Sequence, residues 1–225
     1  IRNTAIGYQA LTANTTGAQN TAVGDISMYT NTTGADNTAI GGSALGANTT
    51  GSNNVAVGRL SLDANTTADN NTAVGYDSLG ANTTGHSNTA VGKRALFTNA
   101  TSNNNTAIGY LALEANTTGG NTAVGGQALQ ANSTGEANVA VGQAALIANT
   151  TGSTNLALGN NAATANTTGT RNIAIGHAAY DASDTENDNL AIGYQAMTTN
   201  TAGGTKNIAI GNYAGDAITS ADDCV

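Results

Sequence analysis

The acidic residues Asp181, Asp184, Glu186 and Asp188 lie close together and could do metal chemistry. Carboxylates that converge with other oxygens can hold Ca²⁺. Asp-rich segments also form turns by bonding their own backbone, and that is the preferred reading of these four. The Gly-Gly-x-Gly-x-Asp pattern of calcium-binding repeats is absent. His86 and His177 stand apart and read as surface residues. Cys224 is the one cysteine, so an internal disulfide framework or a Cys-based metal site is excluded. No Gly-x-Ser-x-Gly elbow, phosphate-binding loop or paired histidine occurs. No enzyme and no cofactor are expected.

Two further sets of residues recur. Asn-x-Ser/Thr triplets open at Asn14, Asn31, Asn48, Asn65, Asn82, Asn99, Asn116, Asn132, Asn149 and Asn166. Each is a formal glycan acceptor if exposed on a secretory route, although turn preference alone explains the triplet. Aromatic side chains occupy variable places: Tyr8, Tyr76, Tyr110 and Tyr194 directly follow a recurring Gly, while Tyr29 and Phe97 occupy another variable slot. Exposed rings of this kind can stack on sugars or fill a partner's pocket. A shaft that only supplies reach is an equal reading.

What positions these residues is a repeat. Asn3-Thr4-Ala5-Ile6-Gly7 returns in thirteen copies, opening at Asn3, Asn20, Asn37, Asn54, Asn71, Asn88, Asn105, Asn121, Asn138, Asn155, Asn172, Asn189 and Asn207. The step is 17 residues, with one step of 16 and one of 18. A short, near-constant period specifies stacked coils. Counting slots from the opening Asn, slots 1, 3 and 5 are Asn, Ala and Gly in every copy. Slot 4 is always Val, Ile or Leu, and slot 2 is Thr or an aliphatic residue. Alternation with β-branched residues predicts a strand, with slots 1, 3 and 5 on one face and slots 2 and 4 on the other. The following small-then-large pair, as in Ala10-Leu11, reads as a second short strand, and Asn14-Thr15-Thr16-Gly17 as a turn.

The expected fold is therefore all-β: a parallel β-solenoid of about thirteen coils, one repeat domain over residues 1–225. At about 4.8 Å per coil it makes a rod roughly 60 Å long. Stacking sets like over like, so the opening asparagines can form an amide ladder. Neither strand face varies freely, and a long exposed apolar stripe needs covering. Another copy of the chain is the natural cover, whichever face points inward.

Composition agrees with a structural role. Only 9% of residues are charged and 4% aromatic, with neither Pro nor Trp. Such a chain could be disordered, but the strict placing of Ile, Val and Leu argues for order. The net charge of −8 argues against nucleic acid or anionic lipid as partners. No apolar run is long enough for a transmembrane helix, so this segment is expected to make no membrane contact. Both ends look cut: Ile1-Arg2 occupy the last slots of an earlier repeat, and Cys224-Val225 the first slots of a later one. A segment of a longer fibre is expected.

The unit Asn-Thr-Ala-Ile/Val-Gly-x-x-Ala-Leu-x-Ala-Asn-Thr-Thr-Gly, as in Val55-Ala56-Val57-Gly58, resembles the head repeat of YadA-type trimeric autotransporter adhesins. That resemblance implies a left-handed β-roll, three chains side by side, on a cell surface. This repeat has 17 residues where that family usually has 14. The run Asn3 to Leu11 also resembles repeats of phage-type tail fibres. Both imply an extracellular or virion-surface homotrimer that meets a host-surface glycan or matrix protein. Regular Thr rows raise ice binding as a further, weaker reading.

Overall fold

A computed structural model describes residues 2–199, 203–218 and 222–224. The expectations for Ile1 and Val225 fall outside them. The chain forms two compact units, Ile1–Leu111 and Ala112–Val225, each a parallel β-solenoid.

In the first unit, seven strands occur: β1 (Thr4–Ile6), β2 (Thr21–Val23), β3 (Thr38–Ile40), β4 (Val55–Val57), β5 (Thr72–Val74), β6 (Thr89–Val91) and β7 (Thr106–Ile108). Each pairs in parallel with the next, and slot 3 always lies over slot 3, as Ala22 over Ala39 and Ala39 over Ala56. The second unit repeats the arrangement with β8 (Thr122–Val124), β9 (Val139–Val141), β10 (Leu156–Leu158), β11 (Ile173–Ile175), β12 (Leu190–Ile192) and β13 (Ile208–Ile210). Among the described residues there is no helix, and so none long and apolar enough to cross a membrane.

The alternation resolves in one direction. The strand alanines point inward, fully buried from Ala22 to Ala191, and slots 2 and 4 point out. Slot 5 shows why its Gly is constant. At Gly41 (φ 136°) an added Cβ would lie 2.5 Å from the Gly58 carbonyl oxygen of the next coil. No side chain fits between backbones stacked that closely.

The second expected strand is absent. The residues after Gly7 form turns, with Gln9 and Leu11 at φ 52° and 54°, and the same two slots are left-handed in the coils that follow. In a strand, neighbouring side chains would face opposite ways; here slots 8 and 9 both face inward, so Ala44 and Leu45 are each fully buried. A left-handed residue costs about 1–2 kcal/mol, and burying a Leu returns about 1.5–3 kcal/mol, so Leu45 offsets its own strain. Slot 7 lies nearer the surface, and a backbone bond between coils holds it: Ile26 N–H donates to the Tyr8 carbonyl at 2.8 Å. Similar bonds run around the coil well beyond the strand, such as Leu11 N–H to Ser27 and Thr15 N–H to Thr32.

Candidate functional site

Two columns of asparagine run inside each unit. Slot 1 forms the expected ladder: Asn37 Nδ2 donates to Asn20 Oδ1 at 3.2 Å and to the Gly51 carbonyl at 2.8 Å, and Asn37 N–H also reaches Asn20 Oδ1. The second ladder, at slot 12, was not anticipated. Asn48 Nδ2 donates to Asn31 Oδ1 at 2.8 Å and to the Gly51 carbonyl at 2.9 Å. In most coils the two ladders thus converge on one carbonyl, as at Gly34, Gly51 and Gly152.

The slot-12 residues are the triplet asparagines, expected in turns and open to a glycan only if exposed. Asn31, Asn48, Asn65, Asn82, Asn99, Asn116, Asn132, Asn149 and Asn166 are instead fully buried, and Asn14 is half-buried. A glycan needs the amide nitrogen in solvent, whereas Asn48 Nδ2 already donates to Asn31 Oδ1 of the preceding coil and to the Gly51 carbonyl of its own. The adjacent Thr side chains also serve the stack, with Thr32 and Thr49 hydroxyls donating to carbonyls of the next coil.

The acidic segment near residue 180 replaces one such turn. Ser183 occupies the Asn slot and Glu186 the Gly slot, and the buried Glu186 carboxylate folds back over the turn. It accepts hydrogen bonds from Ser183 Oγ (2.6 Å), from the N–H groups of Asp184 and Thr185 (both 3.1 Å), and from Gly203 N–H (3.0 Å). Burial pulls this carboxyl upward, yet the hydrogen bonds outweigh it and hold Glu186 below its ordinary value. Tyr180 fills the neighbouring Leu slot, above the smaller Ala163, and its hydroxyl accepts from Asn189 Nδ2 at 2.8 Å. Desolvation pushes the Tyr180 phenol up to about 12. One coil back, buried Asn166 Oδ1 accepts no hydrogen bond, because Ser183 offers it no amide.

The other three acidic residues go elsewhere. Asp188 forms a two-point ion pair with Arg171 (2.6 and 2.8 Å), which lowers its carboxyl. Asp184 is exposed and Asp181 half-buried. Among the described residues no three His, Cys, Asp or Glu are grouped closely enough to hold a metal ion. Cys224 keeps the backbone bonds of an opening Asn: its N–H donates to Asn207 Oδ1 (2.9 Å) and its carbonyl accepts from Ile208. His86 is exposed, with its N–H on Asn103 Oδ1 at 2.8 Å.

No protein family, curated protein or solved structure matches this chain. Function must be read from its surfaces.

Two surface features stand out. The first is the outward strand face. Ile40 (41%), Ile108 (40%) and Leu158 (44%) are among its exposed aliphatic side chains. In the first unit the slot-4 column is aliphatic and the slot-2 column is Thr except at Val55; in the second unit every outward strand residue but Thr122 is aliphatic. The face carries no charge. The second feature is the column after the Gly. Lys93 Nζ lies 5.9 Å from the Tyr76 ring centre and 6.0 Å from that of Tyr110, and the Arg94 guanidinium lies 4.1 Å from the Phe97 ring. Stacking therefore brings two of the expected aromatic candidates, Tyr76 and Tyr110, to either side of one lysine, whereas Phe97 meets Arg94 within its own coil. In the second unit Tyr194 stacks on exposed His177 (5.3 Å) and meets Tyr213 edge-on (5.4 Å). Tyr8 and Tyr29 are exposed.

Proposed function

We propose that the protein is a structural fibre segment at a cell or virion surface, built as a side-by-side homotrimer and serving attachment to a host-surface glycan or matrix protein. The observation that carries this reading is the outward strand face. Its slot-4 column is aliphatic in every strand, it carries no charge, and it repeats coil by coil, so the same face on a second copy matches it in register. Exposed apolar columns of this kind are rare on soluble monomers. The interior supports the reading too: its polar groups are spent on stacking, as rigidity and reach demand. Multivalent display on a trimer then raises avidity without a deep pocket.

An ice-binding surface would need an unbroken Thr array. The slot-2 Thr column breaks at Val55 and ends after Thr122, and the turn hydroxyls of Thr32 and Thr49 are bonded to the next coil.

Sedimentation equilibrium tests the proposal. Three chains of 22.0 kDa are expected per particle. Leu158→Glu combined with Ile175→Glu should yield folded single chains, since both side chains point outward. A monomeric native chain would refute the reading.

A further inference from the structure

The geometry points to a binding site for a linear anionic glycan on the first unit, along the column Arg59, Tyr76, Lys93 and Tyr110. This inference rests on the attachment role proposed above and names the ligand class.

These four residues hold the same slot in four successive coils. Their order is cation, ring, cation, ring. All four are exposed. Like groups therefore recur every second coil, at about 9.6 Å from two steps of about 4.8 Å. A ligand that fits must be linear, must offer a face to a ring, and must carry negative charge on alternate units. Sugar rings supply apolar C–H faces for the phenols. An alternating polymer, in which every second sugar bears a carboxylate or sulfate, supplies charge at the matching period. Single-stranded nucleic acid carries a charge on every unit, at half the spacing the column offers.

The cations are available to such a ligand. The Lys93 ammonium sits at the outer limit of cation–π range from both rings, so an incoming anion displaces little. Arg94 flanks Lys93 from the next slot, laid over Phe97. Asp77, next to Tyr76 in sequence, feels both Arg94 and Arg59, and Asp63 in turn feels Asp77. Three of the six Lys and Arg residues of an acidic chain are gathered over these coils.

Calorimetric titration of the full chain tests the site. The probes are a hyaluronate oligosaccharide (carboxylate on alternate sugars), a keratan sulfate oligosaccharide sulfated only on its glucosamine units (sulfate on alternate sugars), a neutral chito-oligosaccharide and oligothymidylate. One or both charged glycans should bind, more weakly in added salt, and comparison of the two separates carboxylate from sulfate as the preferred anion. Lys93→Gln, and Tyr76→Ala with Tyr110→Ala, should each weaken binding about tenfold, while Tyr29→Ala leaves it unchanged. Circular dichroism checks that these surface variants stay folded. Absence of binding by both charged glycans, equal binding of the neutral sugar or of oligothymidylate, or indifference to Lys93→Gln would overturn the inference. A trimer that binds no glycan removes this site alone; a monomer that binds removes the trimer and leaves the site.

Discussion

Replacing Asn48 with Ala tests whether the slot-12 ladder, rather than turn preference, explains the recurring Asn. Asn48 is fully buried. It donates to Asn31 Oδ1 (2.8 Å) and the Gly51 carbonyl (2.9 Å), and accepts from Asn65 Nδ2 (2.9 Å). After truncation, Gly51 keeps its bond from Asn37 Nδ2 at 2.8 Å, and Asn65 keeps its bond to the Ala68 carbonyl. Asn31 Oδ1 and one amide hydrogen of Asn65 lose their partners. At about 1–3 kcal/mol for each orphaned buried group, the cost is about 2–6 kcal/mol. The low end is favoured, because the chain already tolerates an unpaired Asn166 Oδ1 beside Ser183. The neighbouring Thr50 is exposed, and Thr50→Ala should fall within about 0.5 kcal/mol of the parent. Urea unfolding followed by circular dichroism measures both. If Asn48→Ala costs less than about 1 kcal/mol, or no more than Thr50→Ala, the ladder does not stabilise the coil and the triplets need another explanation.

Gly41 and Gly42 form an adjacent pair with opposite demands. Gly41→Ala should destabilise by about 2–4 kcal/mol through strain and collision with the Gly58 carbonyl; at Gly42 the nearest atoms to an added Cβ are 4.0 Å away, so Gly42→Ala should be within about 0.5 kcal/mol of the parent in the same urea assay. Glu186 predicts an acid-labile coil. Its folded-state pKa lies below the ordinary value of 4.5, so its contribution is complete above the unfolded pKa and lost as pH falls through the folded one. The stability difference between the parent and Glu186→Gln should therefore be largest near neutral pH and shrink in acid, and a difference independent of pH would contradict this.

The period and the first strand were legible because stacking makes every coil meet the same neighbours. A residue type repeated at one slot thus reports one environment, as the buried alanines from Ala22 to Ala191 illustrate. The Ala10-Leu11 segment misled because a small residue followed by a large one suits a strand as well as an alternating left-handed turn. Only the backbone shows that both point inward. Asn14 and its equivalents misled for a related reason: Asn favours turns, but its carboxamide also makes both bonds a buried stack requires. In the acidic segment the group that orders the turn is Glu186 in a Gly slot, and nothing in its sequence spacing discloses a carboxylate folded back on three N–H groups. The Tyr76–Lys93–Tyr110 column was hidden because its members lie 17 residues apart and meet only when the coils stack.

Each slot answers to one of two demands, and that division locates function. Inward slots must repeat, since Asn, Ala and Leu have to match their own kind above and below. The strand's outward slots vary only among Thr and aliphatic residues, which is the latitude of a surface meeting a matching surface. Free variation begins at the slot after Gly7, where Tyr8, Asp25, Gly42, Arg59, Tyr76 and Lys93 follow one another. Substitution there leaves the inward stack intact. A recognition column can thus be written along the solenoid while the coil beneath it stays the same. If that division is right, exchanging Tyr76 and Lys93 should leave unfolding unchanged and alter only what the surface binds.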